Sequence, residues 1–427
     1  MQNKEKKKKK LSLTTLIFIA LLAGALTGVV INYLIPANYV VDDIIVQGVF
    51  YIAGQGFIRL MRMLVVPLVF CSIVCGSMAV GDTKKLGSVG VKTLIFYLCT
   101  TALAITVALS IANIFNPGKG LDMSQIQVTS TVSETTQSMS MTETLLDIIP
   151  VNIFNSLSEG NMLQIIVFAL ILGVILANMG DRVDIVKNFF GQFNDIMMEM
   201  TMAVMKLAPI GVFCLIAKTF AEIGFEVFIP LLKYMFCVLL ALAVQCFVVY
   251  LGLLKIFSGL NPFIFIKNFF PVMAFAFSTS TSNATIPMNI DTLAEKMGVS
   301  KKISSFTIPL GATINMDGTS IMQGVAVVFT AQAFGIPLDM MDYLTVIGTA
   351  TLASIGTAGV PSVGLITLTM VFNSVGLPIE GIALIMGIDR ILDMTRTAVN
   401  ITGDAVCTTI VASWNKAVDR DVYYNRK

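Results

Sequence analysis

Apolar runs of about 20 residues recur along most of this chain, long enough to cross roughly 30 Å of hydrocarbon. They predict membrane-spanning helices over about 12–35, 43–80, 88–115, 145–180, 186–217 and 225–256. The connection 118–144 is polar and rich in Ser and Thr, which reads as a long external loop. After residue 256 the pattern changes and then repeats. An apolar stretch turns Ser/Thr-rich at "STSTSNATIP" (278–287) and becomes half-apolar again; a span interrupted at "NMDGT" follows. A second apolar stretch is broken at "SIGTAGVPSVG" (354–364), and a second polar span follows, "GIDRILDMTRTAVNITGD".

The segments 257–291 and 341–376 read either as full spans or as re-entrant hairpins with polar tips. Charge decides between them. With both re-entrant, one side of the membrane receives the basic amino end, Lys84, Lys85, Lys92, Arg182, Lys187, Lys255, Lys267, Lys301, Lys302 and Lys416. The other receives Asp42, Asp43, Asp122, Glu134, Glu222, Glu226, Asp339, Asp342 and Glu380. The positive-inside rule therefore predicts eight spans plus two hairpins, with both termini cytoplasmic in a cell inner or plasma membrane. The six lysines of "MQNKEKKKKK" read as a cytoplasmic anchor, and the run Leu11 to Leu34 as a retained first span.

Composition agrees with an all-α polytopic membrane protein. The 427 residues are 56% hydrophobic and 13% charged, with mean hydropathy +0.85. A β-barrel would alternate polar and apolar residues over about ten-residue segments, and no such alternation occurs. The absence of histidine excludes His-ligated metals and Ser-His-Asp catalysis. The seven cysteines lie in apolar segments without metal-ligand spacing. No cofactor and no nucleic-acid partner are expected.

Two segments carry the chemistry. In the last span Asp389, Asp393, Arg396, Thr397, Asn400 and Asp404 are spaced 4, 3, 1, 3 and 4. At 3.6 residues per turn they fall within an arc of about 100°. Ionised residues facing lipid cost about 2.5–3.5 kcal/mol each, so this face is predicted to line an interior site. In 303–332, a helix broken near Asn315, Asp317 and Gly318 would free backbone carbonyls beside carboxylate and amide oxygens. All-oxygen coordination suits a hard cation: Na⁺ first, with H⁺ as competitor. Broken helices and hairpins in matching positions point to a transporter built from inverted repeats, with its site where the two units meet. Asp393 and Arg396, one turn apart, match a zwitterion carrying a further carboxylate.

The chain resembles the dicarboxylate/amino acid:cation symporter family, which includes excitatory amino acid transporters. The resemblance rests on "PLGATINMDGTSIMQG", "LASIGTAGVPSVGLITLTMVFNSVGLP" and "GIDRILDMTRTAVNITGD", with "RLMRMLVVPLVF" and "IFYLCTTALAITVALSIANIFNPG" earlier. It implies a homotrimer working as an elevator, in which a mobile transport part crosses the membrane against a scaffold. Scaffold helices would fill 12–80 and 145–217. The transport part would hold 81–117, the hairpins 257–291 and 341–376, the broken helix 303–332 and the last helix 378–416; 218–256 would be the sixth helix, and 1–11 and 417–427 the tails.

By resemblance Asp393 holds the substrate ammonium and Arg396 its side-chain carboxylate. Thr397, Asn400, Thr319, Ser282, Val360 and Gly364 complete the pocket. One sodium site would use Asp404, Asn315 and carbonyls of Gly311 and Asn400. A second would use Asp317, Asn315, Tyr97, Thr100 and Thr101. A third would use carbonyls of Thr313, Ser354, Ile355 and Thr357. The second hairpin would be the extracellular gate. The chain departs from the pattern where many relatives carry a second arginine: Ser280 and Met394 stand there, and Asn283 replaces a serine.

The expected function is symport of an acidic amino acid, glutamate or aspartate, with inward Na⁺ or H⁺. A C4-dicarboxylate or neutral amino acid carrier of the same family is the alternative. An intramembrane aspartyl protease would need two carboxylates sharing a proton, whereas Asp393 has Arg396 one turn away. A dedicated channel would not need that pair. No enzyme activity is expected.

Overall fold

The computed structural model describes residues 13–36, 38–81, 88–121, 146, 149–224, 228–355 and 363–425. The basic tail 1–11, most of the loop 118–144, and Thr357 and Val360 of the second tip lie outside them. The described residues are helical throughout, apart from short connections and one isolated bridge between Val299 and Val418.

The helices are α1 (Leu13–Leu34), α2 (Tyr51–Gly81), α3 (Ser88–Phe115), α4 (Ile153–Glu159), α5 (Met162–Met179), α6 (Asp184–Met205), α7 (Ala208–Ile223), α8 (Phe228–Ala243) and α9 (Leu251–Ser258). They continue as α10 (Pro262–Thr279), α11 (Ser282–Met297), α12 (Lys301–Ile314), α13 (Asp317–Ala333), α14 (Met340–Ser354), α15 (Val363–Ser374), α16 (Gly381–Trp414) and α17 (Arg420–Tyr423). Two π-helical segments, Val40–Phe50 and Val244–Tyr250, lead into α2 and α9.

Five described stretches are long and apolar enough to cross a membrane: Thr15–Leu34, Val89–Phe115, Gln164–Met205, Phe228–Ser258 and Pro262–Thr279. Between 18% and 44% of each apolar window is buried within the chain, so the remainder needs an apolar surround. Helix α16 is absent from that set because its charged and amide side chains lower its hydropathy.

Two expected spans are divided. The stretch 145–180 breaks at Gly160, whose φ of 73° ends α4, and Asn161 then caps α5 through its side-chain oxygen. The stretch 186–217 breaks at Lys206 and Leu207. Pro209 causes the second division, because it has no N–H to continue the ladder and is tolerated only in the first turn of a new helix.

Helices α10 and α11 contact each other and are joined by Ser280 and Thr281 alone. Ser280 adopts φ 51°, a left-handed turn, and its N–H donates to the Ala276 carbonyl at 2.8 Å. Helices α14 and α15 also contact each other, and a capping box of Asp339 and Asp342 starts α14. The broken helix falls between α12 and α13 as expected, but the break is at Asn315 and Met316; Asp317 and Gly318 already open the next helix.

Helix α16 packs against α10, α11, α12, α13, α8 and α9, so its polar face is enclosed by helices rather than presented to lipid. Helix α16 also packs on α7, α1 and α3; α1 packs chiefly on α7, and α2 on α5, α6 and α7.

Candidate functional site

The polar arc of α16 is buried as its spacing predicts. Arg396 is 1% exposed and donates from Nη1 to Asp389 Oδ1 at 2.7 Å and from Nη2 to Asp393 Oδ1 at 3.0 Å. Both pairings lie on one helix face, one and two turns from the arginine. Two carboxylates thus hold the guanidinium in a fixed orientation, while its Nε has no hydrogen-bond partner among the described residues. Thr397 is also buried, its hydroxyl donating to the Asp393 carbonyl at 2.9 Å.

The helix break meets the next turns of this face. Asn315 Nδ2 donates to the Asn400 carbonyl at 3.1 Å and to Asp404 Oδ1 at 2.9 Å. Asn400 Oδ1 in turn accepts the N–H of Gly318 at 2.7 Å, one of the free donors of the first turn of α13. The side-chain oxygen of Asn315 is buried without a hydrogen-bond donor among the described residues.

Asp317 accepts from Thr101 Oγ1 at 2.5 Å, Gln245 Nε2 at 3.1 Å and Tyr250 Oη at 2.7 Å. Asp317 and Asp404 are 0% and 1% exposed, and among the described residues neither has a basic side chain within ion-pair distance. A buried ionised carboxylate without a counter-charge costs several kcal/mol, so each needs a cation or a proton.

Close packing shows how the parts meet. A Cβ built on Gly364, in the first turn of α15, would stand 2.9 Å from Thr319 Cγ2 and 3.6 Å from Arg396 Nη2. The start of α15, the start of α13 and the guanidinium therefore share one small volume. A Cβ on Gly311 would run into Asp404 Oδ1 and stand 2.6 Å from Tyr97 Oη. Gly311→Ala is expected to destabilise the protein by about 1–3 kcal/mol through overpacking. A lower melting temperature in detergent checks this, and an unchanged one contradicts the tight approach.

The expected residues fall into groups. Asp393, Arg396, Thr397, Thr319 and Gly364 belong to the region around the guanidinium. Asn315, Asn400, Asp404 and Gly311 form a second group. Asp317 and Thr101 form a third, beside which the hydroxyls of Thr100 and Thr101 donate to the Tyr97 carbonyl. Ser282 is buried in the first turn of α11 but makes no side-chain hydrogen bond to the Asp389, Arg396 and Asp393 group. Thr313 donates to the Leu310 carbonyl, and Ser354 and Ile355 end α14. Among the described residues no side-chain hydrogen bond ties these three residues to the carboxylates.

Three residues of the site had no assigned role in the sequence reading. Asp389 was legible as part of the polar arc, but its pairing with Arg396 needed the rotamers. Gln245 and Tyr250 sit in an otherwise apolar helix, and the lone glutamine at membrane depth was the available signal.

The sequence model of the sodium:dicarboxylate symporter family matches residues 13–414, a range that contains every group described above. The chain belongs to this family. It is 39% identical over 411 residues to a proton/sodium-glutamate symport protein of Bacillus caldotenax, covering 95% of each chain. It is 36% identical over 419 residues to a proton/glutamate-aspartate symporter of Escherichia coli K12, covering 96% of this chain and 94% of the relative. A C4-dicarboxylate transport protein of Ralstonia nicotianae is 33% identical over 372 residues, with 86% of each covered. Membership makes the chain a multi-pass membrane transporter of the symport class, not an enzyme, and supplies the membrane that its exposed apolar helices need.

Proposed function

We propose that this family member imports an acidic amino acid, glutamate or aspartate, coupled to inward Na⁺ or H⁺ flow. The observation that carries the reading is the charge content of one packed unit. Asp389, Asp393, Asp317 and Asp404 against Arg396 leave a formal charge of −3 when all are ionised. An anionic substrate entering that unit is repelled unless cations enter with it, and coupling follows from the electrostatics.

In this reading Asp393 receives the substrate ammonium, and Arg396 grips the side-chain carboxylate bidentately once an incoming carboxylate competes with Asp389. Thr397, Asn400, Thr319, Ser282, Val360 and Gly364 shape the pocket. Asp404, Asn315 and the carbonyls of Gly311 and Asn400 take one cation. Asp317, Asn315, Tyr97, Thr100 and Thr101 take a second, and the carbonyls of Thr313, Ser354, Ile355 and Thr357 a third. The same reading includes eight spans, two re-entrant hairpins with the second as gate, a trimer, cytoplasmic termini, and elevator movement of the α16 unit. The names of the glutamate symport relatives support the substrate class and leave both cations open.

A C4-dicarboxylate carrier is the second reading, favoured by the dicarboxylate relative. Asp393 weighs against it, since a substrate without an ammonium brings a second like charge to that carboxylate. Competition decides between the two. Uptake of labelled aspartate into proteoliposomes is expected to fall with excess glutamate and to withstand excess serine or succinate. Inhibition by succinate but not glutamate would overturn the amino acid assignment.

A further inference from the structure

Helix α8 reaches α9 through the π-helical segment Val244–Tyr250. In an α-helix, residues five apart point about 140° away from each other. A π turn closes its hydrogen bonds five residues apart and so brings such residues to one side. Gln245 and Tyr250 are five apart, both fully buried, and both donate to the same oxygen, Asp317 Oδ2. Thr101 holds the other oxygen, Oδ1.

Two further observations point to a cation here. Among the described residues Gln245 Oε1 is a buried acceptor with no donor, and the carboxylate beside it has no basic side chain within ion-pair distance. The Tyr250 hydroxyl also adjoins the next group: a Cβ built on Gly403 would stand 2.5 Å from Tyr250 Oη and 2.6 Å from Asn315 Nδ2.

We infer that Gln245 and Tyr250 are positioning residues for the coupling cation, set in register by the π turn. They fix one oxygen of Asp317 so that the carboxylate does not rotate, and they tie it to the Asn315 and Asp404 group. The inference rests on the proposed role of Asp317 as a cation ligand. A carboxylate held in place gives up less freedom when the ion arrives, so its loss of alignment weakens binding.

The test is thermal unfolding of the purified full chain in detergent during a NaCl titration, with choline chloride holding ionic strength constant. Na⁺ stabilises the folded state by mass action, so the midpoint of the melting-temperature rise reports its affinity. Tyr250→Phe and Gln245→Met keep most of the side-chain volume and remove the donor. Each is expected to raise the Na⁺ midpoint about 10-fold, while Ile256→Ala, on the exposed side of α9, leaves it in place. Asp317→Asn is expected to raise it further.

Midpoints that stay put or tighten in both donor variants, with Asp317→Asn still shifted, overturn the inference and leave the Asp317 reading standing. A fall in melting temperature in choline without a midpoint shift makes the two residues structural only, which also overturns it. A wild type that shows no Na⁺ effect, or an Asp317→Asn protein whose midpoint stays at the wild-type value, overturns the Asp317 reading, and the inference with it. Either donor variant decides the matter alone if the other does not fold.

Discussion

Arg396→Cys is expected to weaken transport of aspartate and glutamate at least about 30-fold. Truncating one member of a buried, hydrogen-bonded charge pair costs about 2–5 kcal/mol, and every 1.4 kcal/mol is about tenfold in affinity. Arg396 is the basic partner of both Asp389 and Asp393. The variant therefore loses the group that would grip the substrate carboxylate, and both buried carboxylates lose their contact with the guanidinium. A lower melting temperature is expected alongside the loss of uptake. A small neutral amino acid, whose ammonium still finds Asp393, is expected to compete better in the variant than in the wild type. Uptake in proteoliposomes checks both effects. Unchanged aspartate and glutamate uptake would remove Arg396 from the substrate site.

Asp404→Asn should act on the cation rather than the substrate. Asp404 is buried on α16, and among the described residues Asn315 is its neutral donor. Replacing it with an isosteric amide removes the unpaired charge while keeping the shape. The apparent affinity for the coupling cation is expected to fall about 10–100-fold, the worth of about 1.4–2.8 kcal/mol. The cation-free protein is expected to become no less stable, because a buried charge without a counter-ion has been deleted. These two results together separate an ion ligand from an ordinary structural carboxylate. Uptake measured against cation concentration gives the first, and thermal unfolding in choline gives the second. An unaltered cation dependence contradicts the assignment.

The site was legible where one helix carried it. The six polar residues of α16 follow a helical period, and a helix face that would be costly in lipid has to turn inward, so burial of Arg396, Asp393 and Asp404 followed from spacing alone. The break between α12 and α13 was legible too, from a carboxylate, an amide and a glycine inside an apolar run. Its position was not, because Gly318 is tolerated in the first turn of α13 and the chain leaves the helix earlier, at Asn315.

Contacts between helices were harder to see. The resemblance grouped Thr101 with Asp317, but Gln245 and Tyr250 come from another part of the chain, and only packing puts them on Asp317. The π turn that aligns Gln245 with Tyr250 has no marker in a run of Val, Phe and Tyr. The division at Lys206 shows the same limit, since apolar composition continues across it while Pro209 opens the next helix; at Gly160 the polar run from Ser158 to Asn161 marks the break.

The central claim is that an acidic amino acid and a cation enter together. It is tested most directly by purified protein in liposomes, with uptake of labelled aspartate followed under an inward Na⁺ gradient, an inward H⁺ gradient, or neither. Accumulation driven by one or both gradients, and absent without them, is the predicted result. Equal uptake under all three conditions, or no aspartate uptake under any, would contradict the account.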